Sequence, residues 1–401
     1  MKKKIGCLLI ILFVVPLLCG CWDRKEPEEL AIVVGYGIDY DPVTEEYKII
    51  VQMVNPLRSQ AAGAESASDK PAFWTVSAKD KTIFGAIANL RGKVSREIYY
   101  AHTQLELFST TVLKEVGIIP MLDALERTGQ TRPIIIIGAT EDDPEELFKV
   151  PLPIETINVL GLRSHITITS REKAGTTIEK ARMFLNKLTS PGIEPVAVKL
   201  SLLEEGGGEA PESEPGPGSK APVRITGKMI FRGDKLVGDF DLRETRGCNW
   251  IIDEVTRANL DFTYPGREDT SVSVINSHNF STFKPVMTEE GPKIDLKVKA
   301  TGSIVNITGL SDIKAESELT QSLEKRMATV IQNDIERALD KAQKLKSDVF
   351  GFGNAFYRQE YQSWLEMEDD WPDIFADLPV DIEVEAVIKN TGLINRGIQS
   401  R

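Results

Sequence analysis

Residues 31–54, AIVVGYGIDYDPVTEEYKIIVQMV, contain two β-rich runs on either side of a turn. Val, Ile and Tyr dominate residues 31–38 and 47–54, and these residue types favour strands. The intervening residues 39–46 include an Asp-Pro pair, which is typical of a turn. The segment therefore predicts a β-hairpin near the start of the chain.

The sequence that follows predicts both helices and strands. Apolar side chains recur near helical spacing in residues 83–94 and 113–128. Residues 104–108 alternate like a half-buried strand, and residues 133–138 form an apolar run that suits a strand covered on both faces. Asp143, followed by proline and two acids, predicts the start of a helix.

A stretch without aromatic or β-branched residues divides the chain at residues 204–222, EEGGGEAPESEPGPGSKAP. Because it cannot bury apolar surface, this segment predicts a solvated linker. It separates an N-terminal domain, residues 21–203, from a C-terminal domain, residues 223–395. Residues 59–70, SQAAGAESASDK, predict a mobile loop within the first domain.

The second half predicts several strands and one long helix. Residues 224–231 and 236–242 flank Arg-Gly-Asp-Lys and predict a hairpin. Residues 311–346 contain no Gly or Pro and carry an apolar stripe, so they predict a single amphipathic helix. Further strands are predicted at the following positions: residues 259–264, 270–277, 294–301 and 380–388.

We therefore predict an α+β fold, with mixed sheets and packed helices in an N-terminal and a C-terminal domain. The C-terminal domain is expected to contain the long amphipathic helix and to subdivide near residues 285–293.

The start of the chain has the pattern of an export signal. Three lysines precede the apolar residues 8–18, and this run is shorter than the about 20 residues that a membrane-spanning helix needs. Leu18-Cys19-Gly20-Cys21 resembles the bacterial lipobox. We predict a lipoprotein signal peptide at residues 1–20 and lipidation of Cys21, which attaches the mature chain to membrane lipid. An ordinary signal peptide cleaved near Gly20 is the alternative.

Charge and cysteine content narrow the functional classes. The 401-residue chain carries a net charge of −12, and an acidic chain is poorly suited to a phosphate backbone, so no nucleic-acid partner is expected. Loss of the signal peptide and acylation of Cys21 leave Cys248 as the one remaining thiol. No internal disulfide is then possible, and Cys248 is expected to be a small buried residue.

No pattern in the sequence predicts catalysis. The three histidines, His102, His165 and His278, are far apart and form no HExxH or paired metal-ligand spacing. The chain also lacks a GxSxG elbow, a Walker-type loop and a calcium-binding loop. We predict that the protein is not an enzyme and has no catalytic residue, cofactor or metal site.

Several segments resemble one known family in the same order along the chain. They are Cys21-Trp22-Asp23-Arg24-Lys25-Glu26, GYGID at residues 35–39, GKMIFRGDKLVGDFDLRETRG at residues 227–247, DVFGFG at residues 348–353, and Trp364 with Trp371. This pattern resembles the Ger(x)C spore germination lipoproteins, the C subunits of nutrient germinant receptors in endospore-forming bacteria.

The resemblance implies a lipid-anchored, non-enzymatic subunit that is needed for receptor assembly and the germination response. It also implies two integral-membrane partners, the A-type and B-type receptor subunits, and a location on the outer face of the cytoplasmic (spore inner) membrane. The alternative is a solute-binding lipoprotein of an uptake system, with a ligand cleft between the two halves.

The residues that carry the resemblance also have structural explanations. Gly233 and Gly238 are expected to serve turns or close strand approach. Glu244 and Arg246 are expected to form a surface pair. The aromatic residues of these segments are expected to fill cores: Phe231, Trp250, Trp364 and Trp371.

Overall fold

The protein is described by a computed structural model. The structure describes residue 5 and residues 26–54, 72–128, 132–150, 152, 155–203, 223–264, 267–308 and 317–390. Three predicted segments lie largely or wholly outside these residues: the signal peptide with Cys21, the loop at residues 59–70, and the linker at residues 204–222.

The first sheet has nine strands, in the order β3-β2-β1-β5-β6-β7-β8-β9, with β4 paired to β1. Its centre, from β1 through β5 and β6 to β7, is parallel, and antiparallel pairs extend it on both sides. The strands are β1 (Leu30–Asp41), β2 (Glu46–Val54), β3 (Phe73–Asp80), β4 (Glu97–Tyr99), β5 (Leu105–Ser109), β6 (Ile136–Thr140), β7 (Val196–Leu202), β8 (Val223–Arg232) and β9 (Lys235–Phe240). The predicted hairpin at residues 31–54 is confirmed as β1 and β2.

Helices cover both faces of this sheet, because the central strands are apolar on both sides. One face packs against α1 (Ile83–Arg91), α2 (Thr110–Glu115), α3 (Ile119–Thr128) and α6 (Ala181–Leu188). The other face packs against α4 (Pro144–Lys149) and α5 (Asn158–Lys173). Helix α4 begins as predicted, with the Asp143 carboxylate accepting a hydrogen bond from the Glu145 N–H at 2.8 Å.

Residues 113–128, predicted as one helix, form parts of two. Helix α2 ends before Gly117, whose φ of +93° lies outside the helical region. The next residue, Ile118, donates its N–H to the Asp234 carbonyl at 2.9 Å. A contact 116 residues away in sequence therefore replaces the next helical bond, and the periodicity of side chains gives no sign of it.

The second sheet has four strands in the order β10-β11-β12-β13. The strands are β10 (Ala258–Tyr264), β11 (Arg267–Thr288), β12 (Gly291–Thr308) and β13 (Val380–Asn390). The associated helices are α7 (Leu242–Ile251), α8 (Ser317–Lys344), α9 (Phe352–Gln359), α10 (Tyr361–Met367) and α11 (Trp371–Ala376). The long predicted helix is α8. Residues 285–293, where a subdivision was expected, form the tip of the β11–β12 hairpin within one sheet.

The hairpin predicted at residues 224–231 and 236–242 is confirmed as β8 and β9. It follows the linker and was assigned to the C-terminal domain, but β8 pairs with β7 and completes the first sheet. One apolar core then continues from the first sheet into the second, because Val196, Ile230 and Phe240 pack in the same cluster as α8 and the second sheet. Both halves are mixtures of sheet and helix, so the predicted α+β class is confirmed.

Candidate functional site

The two halves meet at a crevice of about 320 Å³, which we call the junction crevice. The loop before β7 and the turn between β8 and β9 form one wall, with Gly192, Glu194 and Gly233. The segment that follows α8, helix α10 and the start of α11 form the other wall, with Asp348, Trp364 and Trp371. Both walls include residues of the segments that resemble the Ger(x)C family.

Asp348 organises the second wall. Its carboxylate accepts hydrogen bonds from the N–H groups of Gly351, Phe352 and Gly353 at 2.9, 3.1 and 2.7 Å. The indole N–H of Trp371 donates to the same carboxylate at 3.1 Å. Gly351 permits this turn because its φ is +81°, in the left-handed region. The DVFGFG segment is therefore a loop wrapped around one buried acid.

Glycines bring the two walls into backbone contact. A Cβ at Gly192 would lie 2.3 Å from the carbonyl carbon of Gly353, and Gly192 has a φ of +66°. Asn354 donates its N–H to the Gly192 carbonyl at 2.8 Å and its side-chain amide to the Pro191 carbonyl at 3.0 Å. No larger residue fits at position 192 without separating the walls.

Two carboxylates in the crevice have perturbed acidity. Burial raises the pKa of Asp348 to about 6, although its four hydrogen-bond donors oppose the shift. Burial also raises the pKa of Glu194 to about 7; the N–H of Gly233, at 2.7 Å, opposes this change, and the charge of Asp348 adds to it. The crevice thus contains two carboxyl groups, and the Asp348 carboxylate is already occupied by the N–H groups of residues 351–353.

Strand β8 carries a buried lysine, Lys228, where it packs against α7. Lys228 is 1% exposed and donates to the Asn249 side-chain oxygen at 2.5 Å. Asn249 in turn accepts from Thr177 at 2.9 Å and donates to the Ala174 carbonyl at 2.8 Å. Burial lowers the pKa of the Lys228 ammonium. Asn249 thus joins α7 to the first sheet and to the segment after α5.

The predicted lipidation site, Cys21, and the three histidines lie at separate places in the chain. Cys21 lies outside the described residues. Exposed His102 stacks near Tyr99, with ring centroids 5.9 Å apart, and His165 and His278 are exposed on other elements. Among the residues that the structure describes, no group of three or more metal-ligating side chains converges.

The predicted pairing of Glu244 with Arg246 is wrong. Glu244 accepts from the backbone N–H of Asp241 and completes a capping box at the start of α7. Arg246 reaches α8 and forms an ion pair of 2.7 Å with Asp334. The capping pattern D-x-x-E at residues 241–244 was visible in the sequence and should have indicated this arrangement.

The aromatic residues Phe231, Trp250, Trp364 and Trp371 are buried, as predicted, but three ionisable groups of the junction were missed. Cys248 is buried, as expected, and lies 3.7 Å from the Lys228 ammonium. Asp348, Glu194 and Lys228 were not singled out. The signal for Asp348 was present, because an acid placed before two closely spaced glycines can bind the N–H groups of a tight turn.

The hydrogen bonds of these residues join the two halves of the protein. Asp348 and Lys228, two fully buried groups of perturbed acidity, have their charged atoms engaged in hydrogen bonds to the protein itself. Within the described part of the chain, no helix has the length and apolar character needed to cross a bilayer.

Comparisons with known proteins agree along almost the whole chain. Residues 23–202 match the family model described as spore germination protein N-terminal domain. Residues 226–392 match the model described as spore germination B3/GerAC like, C-terminal. The interval between the two matches contains the Gly/Pro/Glu segment.

Individual relatives show the same relationship. Spore germination protein KC of Bacillus subtilis (strain 168) is 26% identical, over 98% of this chain and 98% of its own length. Spore germination protein B3 of the same organism is 21% identical, over 96% and 98%. The crystal structure of the GerBC protein, 16% identical, has the same fold with a TM-score of 0.53 and covers 89% of this chain and 97% of that one. Because both family models match and these relatives align along nearly the whole chain, this chain is a member of the Ger(x)C family of spore germination proteins.

Proposed function

We propose that the protein is a lipid-anchored, non-enzymatic subunit of a nutrient germinant receptor, and that the receptor needs it for assembly and for the germination response. The observation that carries the proposal is the match of both germination domains in order, covering residues 23–202 and 226–392. Membership of this family supports a role as a receptor C subunit; anchoring and assembly are our inferences.

The lipobox supports anchoring through Cys21. A diacylglyceryl group supplies two acyl chains, which give lasting attachment where a single chain gives only marginal binding. Because the protein is exported before it is acylated, the soluble body would lie on the outer face of the cytoplasmic membrane, which is the inner membrane of the spore. Its partners there would be the A-type and B-type integral-membrane subunits.

The junction supports a structural role within such a complex. Three contacts join the two halves: the Glu194 N–H donates to the Asp348 carbonyl at 2.9 Å, Asn249 donates to the Ala174 carbonyl, and Gly192 lies against Gly353. A rigid body of this kind presents constant surfaces to partner subunits. The solute-binding alternative requires two lobes that close around a ligand, but here one apolar core continues between the halves and β8 and β9 complete the first sheet.

Replacing Cys21 by Ala tests the anchor. The Cys21→Ala protein is expected to incorporate no radioactive palmitate and to leave the membrane fraction, since no other lipidation site is predicted. Cys19→Ala is the matched control, because alanine is a usual residue at that lipobox position, and this protein should retain both label and membrane association. Label retained by Cys21→Ala would refute the anchor.

Deleting the gene tests the receptor role. Spores of the deletion strain should fail to lose optical density in response to one class of nutrient, while agents that bypass receptors still trigger germination. Vegetative growth should be unchanged. If spores germinated normally with every nutrient and growing cells lost uptake of a solute, the solute-binding function would replace the one proposed.

A further inference from the structure

The chain enters the fold at one end of the first sheet. Strand β1 begins at Leu30, and β4 lies beside it with Glu97 opposite Leu30 and Tyr99 opposite Ile32. One step along the sheet, Val33, Met53 and Trp74 form a row across β1, β2 and β3. Trp74 therefore lies at the end of the sheet from which the N-terminus emerges.

Two further segments lie at the same end. The Gln104 N–H donates to the Val34 carbonyl at 2.8 Å, and the Ile136 N–H donates to the Gln104 carbonyl at 3.1 Å. The residues just before Gln104 and Ile136 are thus level with the start of β1. We call this region the leading end and define it as residues 26–32, 73–74, 96–103 and 132–135.

The lipid anchor would be close to the leading end. Cys21 precedes Glu26 by five residues, and even a fully extended chain of that length spans at most about 18 Å. The span from Cys21 to Glu26 is shorter than β1, which has 12 residues and extends about 40 Å at roughly 3.3 Å per residue. An acylated Cys21 would therefore hold this end, and no other end of β1, at the bilayer.

We infer that the leading end rests on the headgroup region of the bilayer, with Trp74 as an interfacial contact; this inference rests on the proposed lipidation of Cys21. Trp74 is 49% exposed and Ile134 is 58% exposed, although both are large apolar residues. Exposed His102 and half-buried Tyr99 form a ring pair at the same end. Tryptophan and tyrosine prefer the membrane interface, where the ring is partly desolvated and its polar atom remains hydrated.

The charge of this region fits a membrane surface better than the charge of the whole protein does. The complete chain has a net charge of −12, which an anionic bilayer repels. Within the leading end and the five residues before it, four basic and five acidic side chains leave a net charge of −1. The basic residues are Arg24, Lys25, Arg96 and Arg132, and the acidic residues are Asp23, Glu26, Glu28, Glu29 and Glu97.

The same geometry defines a surface that faces away from the membrane. The turn between β1 and β2 lies at the opposite end of the strands, and its Val43 is 89% exposed. The bilayer would thus be close to Trp74 and His102 and about 40 Å from Val43, by the length of β1 at roughly 3.3 Å per residue. Surfaces near Val43 would remain open to water or to the soluble parts of partners.

Site-directed spin labelling of the full-length lipidated protein tests this orientation. Cys248 is buried and Cys21 would be acylated, so one added cysteine supplies the single reactive thiol. His102→Cys and Trp74→Cys carry the label at the leading end, and Val43→Cys carries it at the far end as the matched control. Each protein is reconstituted in phosphatidylcholine/phosphatidylglycerol vesicles, and nitroxide collisions with oxygen and with a water-soluble nickel chelate are measured.

The ratio of oxygen to nickel accessibility is expected to be at least severalfold higher at positions 74 and 102 than at position 43, because oxygen concentrates in lipid and the chelate stays in water. Equal ratios at all three positions, with the acyl group on Cys21 found by mass spectrometry, would overturn the orientation and leave the anchor intact. Absence of the acyl group would overturn the anchor and the orientation together. The His102→Cys protein keeps the test decisive if Trp74→Cys does not fold, because His102 is exposed.

Discussion

Glu194 and Asp348 both line the junction crevice, but they differ in the number of hydrogen bonds that stabilise their charged forms. Asp348 has four hydrogen-bond donors, whereas Glu194 has the single N–H of Gly233 at 2.7 Å. Burial is the main reason that the pKa of Glu194 rises to about 7 from an ordinary value of 4.5. Between these two values the folded protein retains a proton that the unfolded chain has lost. Glu194 therefore makes the folded state less stable as the pH rises from about 4.5 to about 7.

Glu194→Gln should remove this pH dependence. Glutamine keeps the size of the side chain and an oxygen that accepts from Gly233, but it cannot ionise. We expect the variant to be about 2 kcal/mol more stable than the parent protein at pH 8, and equal to it near pH 4.5, where Glu194 is neutral. Urea unfolding of the lipid-free protein that begins at Trp22, at both pH values, measures the difference. Asp369→Asn, at an exposed carboxylate of the same crevice, is the control and should change neither value. A difference that is the same at both pH values would contradict the explanation.

Residue patterns indicated some of the buried groups and concealed others. Cys248 could be predicted as buried because thiols commonly are. Lys228 could not, because lysine is usually exposed, and its acceptor Asn249 lies 21 residues further along the chain on a different element. A buried charge depends on partners that only the tertiary structure brings together. The absence of catalytic patterns in the sequence gave no information about such pairs.

At the scale of elements, the helix pair α7 and α8 depends on a single glycine. A Cβ at Gly247 would lie 1.9 Å from the Asp334 carbonyl oxygen on α8. The two helix backbones are thus nearly in contact, and any side chain at position 247 must push them apart. Arg246, the adjacent residue, adds its ion pair to Asp334 across the same contact.

Gly247→Ala is expected to destabilise the protein by roughly 3 kcal/mol, the upper part of the usual range for overpacking a core, because backbone atoms cannot move aside as a flexible side chain can. Gly233→Ala is the matched control. Its φ of +59° gives alanine a cost of about 1 kcal/mol, but no atom lies within 4 Å of the added Cβ. Thermal and urea unfolding of both variants measure the two losses. Similar losses for the two variants would show that α7 and α8 can separate freely, contrary to this structure.

Elements with strong periodicity were predictable, and those that depend on distant contacts were not. Helix α8, Ser317–Lys344, lies within the predicted residues 311–346 because a long run without Gly or Pro leaves few alternatives. The break between α2 and α3 was missed, since the bond from Ile118 to Asp234 replaces a helical one. Strands β11 and β12 are longer than predicted because they pair with each other from Ser271 to Thr288 on β11 and from Gly291 to Thr308 on β12.

At the scale of the whole molecule, composition predicts a linker at residues 204–222 but not the way in which the strands divide between the two sheets. Residues 204–222 cannot contribute to a core, and this much follows from their side chains. Composition says nothing of where the chain goes afterwards. The edge of β7 was still available for pairing, and β8 takes that position before the chain enters the second sheet. The order of strands in a sheet depends on which strand edges remain unpaired, and the pattern of residues within one strand does not show this.

The position of the linker leads to a prediction about stability. Leu202 and Val223 are directly opposite each other in the β7–β8 ladder, so the chain leaves and re-enters the sheet at neighbouring positions. Removing residues 206–219 leaves six of the residues numbered 203–222, enough to connect two adjacent antiparallel strands. Because the entropy of loop closure varies with the logarithm of loop length, the shorter loop should stabilise the fold by about 1 kcal/mol. Replacing residues 206–219 by an equal length of Gly and Ser is the control and should leave the free energy of unfolding unchanged. A loss of more than about 2 kcal/mol in the deletion variant, measured by urea unfolding, would mean that this segment packs against the sheets, and the linker interpretation would then have to be abandoned.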